Sequence, residues 1–352
     1  MRMRRIRVLV VEDSRTIRGR IVEVLAADPE LEVVGEGEDG RAAIELTTKL
    51  RPDVITLDMM LPVMTGLAAT EQIMAHTPTP ILIVSASVNR GEVFRTYDAL
   101  AAGAVDVLEK PAGNGVDTDW ERKLVTTVKL VSRIKVITHI RAKLSPPVGT
   151  SSRQSLASAA PYRAAAIGAS TGGPAAVQQV LRGLAADFPL PLLIVIHIAE
   201  PFAAALADWL DAQSPVRVRY AQEGEALPGF GEPCALMAPP ARHLVLREGR
   251  LHLTSDPERH SCKPSVDVLF ESVAAELGPQ AVGCVLTGMG KDGAAGLLAM
   301  RSAGAMTMAQ DEATSVVFGM PREAILLSAA RRVVPIQDVA PALLSLAYGG
   351  GA

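Results

Sequence analysis

The segment Ala166-Ile167-Gly168-Ala169-Ser170-Thr171-Gly172-Gly173-Pro174 carries an apolar, strand-like run that ends on a serine between glycines, with a helix-like run behind it. Gly168-Ala169-Ser170-Thr171-Gly172 fits the G-x-S-x-G turn, where a sharp strand-to-helix bend presents a serine hydroxyl as a nucleophile. The same glycines suit a phosphate held at a helix N-terminus or a plain tight turn. A general base would complete the first reading. His197 ends the apolar run that starts at Leu190, about one βαβ unit (~30 residues) after Ser170. Two such strands would be parallel and close, with both side chains at one sheet edge. A histidine in an apolar run also suits a buried structural role. Asp292 is the carboxylate of the loop Thr287-Gly288-Met289-Gly290-Lys291-Asp292-Gly293. It could orient the imidazole and stabilise its charged form, or cap a helix that begins near Ala294. Backbone N–H groups around Met289 could face a developing oxyanion. The order Ser…His…Asp differs from the Ser…Asp…His of α/β-hydrolases, so that fold is disfavoured.

A second set of reactive residues lies nearer the N-terminus, each at the end of an apolar run: Glu12-Asp13, Asp58, Ser85 and Lys110. Ligands of doubly wound sheets sit outside the carboxyl ends of the strands. Three carboxylates meeting there would repel one another unless a divalent cation joined them, and oxygen-rich sites of this kind suit Mg2+. A carboxylate can attack phosphorus to give an aspartyl phosphate, with a hydroxyl and an ammonium opposite to bind its oxygens. One Asp after a strand is usually a cap or turn residue; four strand ends with matching chemistry are harder to set aside.

The elements that would position these groups follow the α/β pattern. Strands are expected at Arg7–Val11, Glu32–Gly35, Val54–Leu57, Ile81–Val84 and Asp106–Leu108, with helices at Arg15–Ala27, Arg41–Lys49 and Val93–Ala101. Pro111 and Gly113-Asn114-Gly115 close this unit, and a further helix is expected from Asp119 to Lys143, with Leu124, Val128, Val131 and Ile134 on one face. Ser145–Ala160 is rich in Ser, Pro, Gly and Ala and reads as a flexible linker. Beyond it, strands are expected at Ala164–Ala169, Leu192–Ile196, Arg217–Tyr220, Ala235–Ala238, Leu244–Arg247, Arg250–Leu253 and Ala281–Leu286, with a hairpin at Glu248-Gly249. The fold class is therefore α/β: a doubly wound, flavodoxin-like N-terminal domain (5–118), a helix and linker (119–160), and a second α/β domain with a mostly parallel sheet (161–350).

Composition narrows the function classes. The 352 residues suffice for two or three domains. A net charge of −3 offers no electrostatic basis for nucleic-acid binding. Val8–Val11 is too short for a signal-peptide core, and Leu190–Ile198 falls far below the ~20 apolar residues that cross a bilayer, so a cytoplasmic protein without membrane insertion is expected. Cys234, Cys262 and Cys284 form no disulfide framework. His260-Ser261-Cys262 could be a metal corner, but no second pair follows at ligand spacing.

Residues 5–112 resemble a response-regulator receiver domain, through Val10-Val11-Glu12-Asp13-Ser14, Leu57-Asp58-Met59-Met60-Leu61-Pro62, Met64-Thr65-Gly66, Ser85 and Lys110-Pro111. The resemblance implies Asp58 as phosphoacceptor, Glu12, Asp13, Asp58 and the Met60 carbonyl as Mg2+ ligands, and Ser85 and Lys110 as phosphoryl sensors. Three residues before the lysine such domains usually carry an aromatic switch residue, where this chain has Val107. Gly168–Pro174, Pro264–Phe270, Leu286–Gly293 and Ala309–Arg322 are similar to the protein-glutamate methylesterase of bacterial chemotaxis, the CheB family. That resemblance implies Ser170 as nucleophile, His197 as base, Asp292 as its orienter, Thr171 as an assisting residue and the Met289 N–H in the oxyanion hole, with no cofactor for the esterase. The implied substrates are glutamate γ-methyl esters, and for some members glutamines, on the cytoplasmic part of methyl-accepting chemotaxis receptors. A chemotaxis-type histidine kinase would phosphorylate Asp58 and relieve inhibition by the receiver. Around the histidine the family usually reads Gln-His-Met-Pro, and this chain reads Ile196-His197-Ile198-Ala199.

The expected function is thus a phosphorylation-activated receptor methylesterase for sensory adaptation. An accessory paralogue serving a non-chemotaxis receptor array and a catalytically silent, phospho-switched scaffold are the alternatives. A transcriptional regulator would need a helix-turn-helix output and a basic face, and the chain offers neither.

Overall fold

A computed structural model describes residues 4–86, 90–111, 117–134, 136, 162–198, 200 and 202–349. The expected linker Ser145–Ala160, the Gly113-Asn114-Gly115 cluster and Ala199 lie outside these. The chain divides into two compact units, Met1–Arg153 and Gln154–Ala352. Among the described residues, no helix is long and apolar enough to cross a membrane.

The first unit alternates β1 (Ile6–Val11), α1 (Arg15–Ala26), β2 (Leu31–Gly37), α2 (Gly40–Leu50), β3 (Val54–Leu57), α3 (Gly66–His76), β4 (Ile81–Ser85), α4 (Arg90–Ala101), β5 (Asp106–Glu109) and α5 (Thr118–Val131). Its sheet is parallel throughout, in the order β2-β1-β3-β4-β5. Val8–Val11, Val54–Leu57 and Ile81–Ser85 are buried along their whole length, the near-continuous burial expected where helices cover both faces of a parallel sheet. The strand order reverses between β1 and β3, which opens the crevice at their carboxyl ends.

The helix α5 ends at Val131, well short of the expected Lys143. Trp120, Leu124, Val128 and Val131 are its buried residues, and it packs on α1, β3 and β4. The N–H of Ser132 closes the last turn on the carbonyls of Val128 and Leu130. Residues 137–143 of the expected helix lie outside the described residues. α5 belongs to the first unit's core.

The second unit runs β6 (Ala164–Ala169), α6 (Gly173–Arg182), β7 (Leu192–Ile196), α7 (Leu206–Gln213), β8 (Arg217–Tyr220), β9 (Cys234–Met237), β10 (His243–Arg247), β11 (Arg250–Thr254), α8 (Val266–Leu277), β12 (Ala281–Val285), α9 (Ala294–Ser302), β13 (Met306–Gln310), α10 (Met320–Leu326), β14 (Arg332–Val334) and α11 (Ile336–Ala347). Seven parallel strands are ordered β14-β13-β12-β6-β7-β9-β8. β10 and β11 form a separate antiparallel hairpin. Its turn, Glu248-Gly249, has positive φ at both residues, 52° and 69°, as a two-residue primed turn requires. The hairpin packs on α8. β6 lies between β12 and β7, so the carboxyl ends of these three strands open onto one crevice.

Candidate active site

Ser170 follows β6 directly. Its N–H donates to the Thr287 carbonyl at 3.0 Å, and its own carbonyl accepts from the Gly173 N–H at 2.6 Å, which pins the turn from both sides. Gly172 adopts the left-handed conformation with φ 76° and caps α6. A Cβ on Gly168 would come within 2.1 Å of Val266 Cγ1, so only glycine lets β6 approach α8 this closely. The loop after β12 presses as near: a Cβ on Gly288 would lie 2.8 Å from Ser170 Cβ and 2.3 Å from Met320 Sδ.

β7 is the parallel neighbour of β6, with Ala169 opposite Ile196. His197 therefore emerges beside Ser170, and its N–H donates to the Ala169 carbonyl at 3.0 Å. The imidazole Nε2 lies 2.9 Å from Asp292 Oδ2. Asp292 is buried, 2 % exposed, and its partners come from the first turn of α8. Oδ1 accepts from Ser265 Oγ at 2.8 Å and from the Asp267 N–H at 3.0 Å; Oδ2 also accepts from the Val266 N–H at 2.7 Å. Asp292 thus sits on a helix N-terminus, where backbone donors and the helix dipole favour an anion. It is the start of α8 that it serves, rather than the helix near Ala294: α9 begins at Ala294 with Gly293 as its N-cap and no side-chain cap.

The charges of the pair follow from these contacts. Burial opposes ionisation of Asp292, but the His197 hydrogen bond and charge, with the donors from α8, hold it below its ordinary 3.8. Burial likewise disfavours the imidazolium, yet the hydrogen bonds to Asp292 and to the Cys262 thiol outweigh it and push His197 up to about 9.

Around this core lie residues whose part the sequence did not disclose. Ser265 caps α8 while bonding Asp292. The buried His243 fixes Ser265: its Nδ1 accepts the Ser265 N–H at 3.1 Å, which leaves Nε2–H to donate to the Pro257 carbonyl at 3.1 Å. Asp267, fully buried, accepts from the Gly296 N–H at 2.6 Å and joins α8 to α9. Thr287 Oγ1 donates to the Thr171 carbonyl at 3.0 Å, and the Thr287 N–H donates to Gln310 Oε1 at 2.7 Å. Those bonds tie Thr171, which is buried, to the loop carrying Met289, which is half exposed. Pro264–Phe270 and Ala309–Arg322 had marked these segments, but their distance along the chain from Ser170 hid the contacts.

In the first unit, Glu12, Asp13 and Asp58 offer oxygens within 4.8 Å of one another. Glu12 and Asp58 are buried and Asp13 is exposed. Lys110 Nζ lies 2.8 Å from Glu12 Oε2 and 3.0 Å from Asp58 Oδ2. Burial, aided by the neighbouring Asp58, pushes Glu12 up to about 7 despite the lysine. One ammonium therefore leaves the carboxylates undercompensated, and a hard divalent cation with oxygen ligands fits this donor set. Ser85, at the carboxyl end of β4, has a buried hydroxyl without a hydrogen-bond partner among the described residues, a group suited to an incoming oxyanion. Met59 N–H donates to Asp58 Oδ1 at 2.7 Å, next to Met60, which is 43 % exposed. Val107 is buried in β5 opposite Ile83.

Fold and geometry define a receiver-type unit joined to an α/β unit that carries a serine beside a histidine–carboxylate pair. Family models agree on both: residues 8–116 match the response regulator receiver domain and residues 165–343 match CheB methylesterase. The chain is 44 % identical over 348 residues to a protein-glutamate methylesterase/protein-glutamine glutaminase of Anaeromyxobacter dehalogenans, covering 97 % of each. It is 42 % identical over 352 residues to one of Myxococcus xanthus, covering 98 % of each. The crystal structure of the Thermotoga maritima CheB methylesterase catalytic domain matches with a TM-score of 0.50 and 32 % identity, covering 53 % of this chain and 98 % of that one. The chain belongs to the CheB methylesterase family and carries a receiver domain N-terminal to its catalytic domain.

Proposed function

We propose that this chain hydrolyses glutamate γ-methyl esters, and deamidates glutamines, on the cytoplasmic part of methyl-accepting chemotaxis receptors, under control of phosphorylation at Asp58. The observation that carries this reading is the His197–Asp292 pair, anchored on α8 and set beside Ser170 by adjacent parallel strands. Asp292 occupies Nε2, so Nδ1 takes the Ser170 proton as Oγ attacks the γ-carbonyl carbon. The Met289 N–H, in the loop that Gly288 presses against Ser170, faces the oxyanion, and Thr171 holds that loop to the turn. Imidazolium then protonates the departing methoxide, methanol leaves, and water, deprotonated by the same nitrogen, frees glutamate and Ser170.

Glu12, Asp13, Asp58 and the Met60 carbonyl would hold Mg2+, which supplies charge neutralisation for phosphoryl transfer onto Asp58 from a chemotaxis-type histidine kinase. Lys110 and the buried Ser85 hydroxyl bind the phosphoryl oxygens. No part of this scheme needs a cofactor at Ser170, and the setting is the cytoplasm. The test is incubation with a methylated receptor signalling fragment, followed by methanol quantitation and mass spectrometry of the fragment. Methanol released in step with new glutamates supports the reading; an unchanged fragment would favour the silent scaffold.

A pH dependence follows. The base works in its neutral form, and His197 in the resting site stays charged up to about 9. Hydrolysis (kcat/KM) should therefore climb with pH and level off near pH 9, and a profile flat across the neutral range would contradict the assignment. For stability the sign is opposite. Charging His197 favours the folded state fully below its ordinary 6.5, and that contribution is lost as pH rises through about 9.

The Gly288 approach gives a further expectation. Gly288→Ala places a methyl against Ser170 Cβ and Met320, and restoring ordinary van der Waals spacing displaces the nucleophile by up to about 1 Å. A loss of about 10²-fold in kcat is expected, as for comparable misplacements of reacting groups, with kcat/KM falling alongside. An unchanged kcat would show that the loop does not set the position of Ser170.

A further inference from the structure

The nitrogen assigned to proton transfer has a neighbour the reaction does not use. Cys262 Sγ lies 3.7 Å from His197 Nδ1, and the thiol also donates to the His260 carbonyl at 3.4 Å. Both side chains are partly open to solvent. Zinc bonds of about 2.0 Å to nitrogen and about 2.3 Å to sulfur, at a tetrahedral angle, set the two ligand atoms about 3.5 Å apart. A cation would fit between these atoms with almost no movement of either side chain.

The surroundings match as well. Asp292 holds the remote nitrogen of His197, the carboxylate–histidine arrangement that fixes the ring and strengthens a metal-bound imidazole. His197, Cys262 and Asp292 each offer a ligand atom, all within 4.8 Å of one another. In the sequence, His260-Ser261-Cys262 lacked a second ligand pair; the fold brings His197 and Asp292 to Cys262 from β7 and from the loop after β12. Among the described residues, Cys262 is the only one of the three free cysteines to stand in such a cluster.

We propose that His197 Nδ1 and Cys262 Sγ form a binding site for a borderline-soft divalent cation such as Zn2+, and that its occupancy shuts off the hydrolase. Binding releases the thiol proton and, below about pH 9, the Nδ1 proton to solvent, and Nδ1 then donates its lone pair to the metal. Two coordination positions remain for water. The base is then engaged, and no acceptor is left for the Ser170 proton. Inhibition, as distinct from binding, rests on the assignment of Nδ1 as the base. Mg2+, a hard ion that prefers oxygen, does not compete for a thiolate, so the cation that serves the first unit leaves this site open.

The test uses the full chain in excess Mg2+, which fills the carboxylate site, with Co2+ as a spectroscopic stand-in. One equivalent of Co2+ should produce a near-ultraviolet thiolate-to-cobalt charge-transfer band, and Cys262→Ser should abolish it. In parallel, Zn2+ should suppress methanol release by the wild type and a chelator should restore it. Cys262→Ser, each titration being referred to the variant's own metal-free rate, should need at least about tenfold more Zn2+ for half-inhibition. No band in the wild type, a band that survives Cys262→Ser, or equal Zn2+ sensitivity of the two proteins overturns the proposal. Should the wild type release no methanol, the band still decides the metal site, and the failure counts against the esterase reading alone.

Discussion

Ser170→Ala is expected to lower methanol release by about 10⁶-fold, the cost of losing the nucleophile of a serine hydrolase. The substitution removes only Oγ. The backbone bonds that pin the turn, from Ser170 N–H to Thr287 and from Gly173 N–H to the Ser170 carbonyl, do not involve the side chain. The positive φ of Gly172 is likewise independent of it, and the close approach of Gly288 is to Cβ, which alanine keeps. The variant should therefore fold normally, with a stability change within about 0.5 kcal/mol and an unaltered melting transition. Loss of activity without loss of fold would place Ser170 at the reacting carbon. A variant within tenfold of the wild-type rate would remove Ser170 from the mechanism.

Asp292→Asn is expected to cost about 10⁴-fold in kcat, for reasons specific to this site. The carboxylate accepts from four donors: the His197 ring, Ser265 Oγ and the N–H groups of Val266 and Asp267. An amide has one acceptor oxygen, so its NH2 group must face donors already in place. At least one buried donor at the start of α8 then loses its partner, at about 1–3 kcal/mol. Unlike Ser170→Ala, this change should lower Tm measurably. It also removes the anion that holds His197 charged, so the residual activity should level off at a lower pH than in the wild type. A variant that loses rate but keeps the wild-type pH profile would show that Asp292 only supports the fold.

The residues proposed to carry the reaction could be brought together from sequence because parallel α/β topology maps strand ends onto one edge. Glycine spacing at Gly168 and Gly172, with an apolar strand ending at His197, sufficed to set two side chains beside each other. Asp292 was found by its loop, but its hold on α8 was not, since nothing local to Lys291-Asp292-Gly293 indicates which helix start it faces. Cys262 and His243 reach the site from segments far from Ser170 in sequence, through contacts that only folding creates. The strands β13 and β14 escaped notice for simpler reasons. Met306-Thr307-Met308-Ala309-Gln310 has one β-branched residue and owes its extended form to its neighbours in the sheet rather than to propensity, while Arg332–Val334, though it holds two valines, is only three residues long. For α5, the turn at Ser132 ends the helix at Val131, and residues 137–143 of the expected helix lie outside the described residues.

In the first unit, the strand ends again placed the chemistry, and Glu12, Asp58 and Lys110 are in contact as the motifs implied. The consequence of Val107 is narrower than its motif suggests. Val107 is buried opposite Ile83 and has no aromatic ring to swing between inner and outer positions.

The central claim, an esterase governed by phosphorylation, is tested most directly by one comparison. Methanol release from a methylated receptor fragment is measured with Mg2+, with and without a small-molecule phosphodonor, in the wild type and in Asp58→Asn. The account predicts release by the wild type that the phosphodonor increases, and no such increase in Asp58→Asn. Wild-type release that ignores the phosphodonor, or an equal increase in Asp58→Asn, would contradict it.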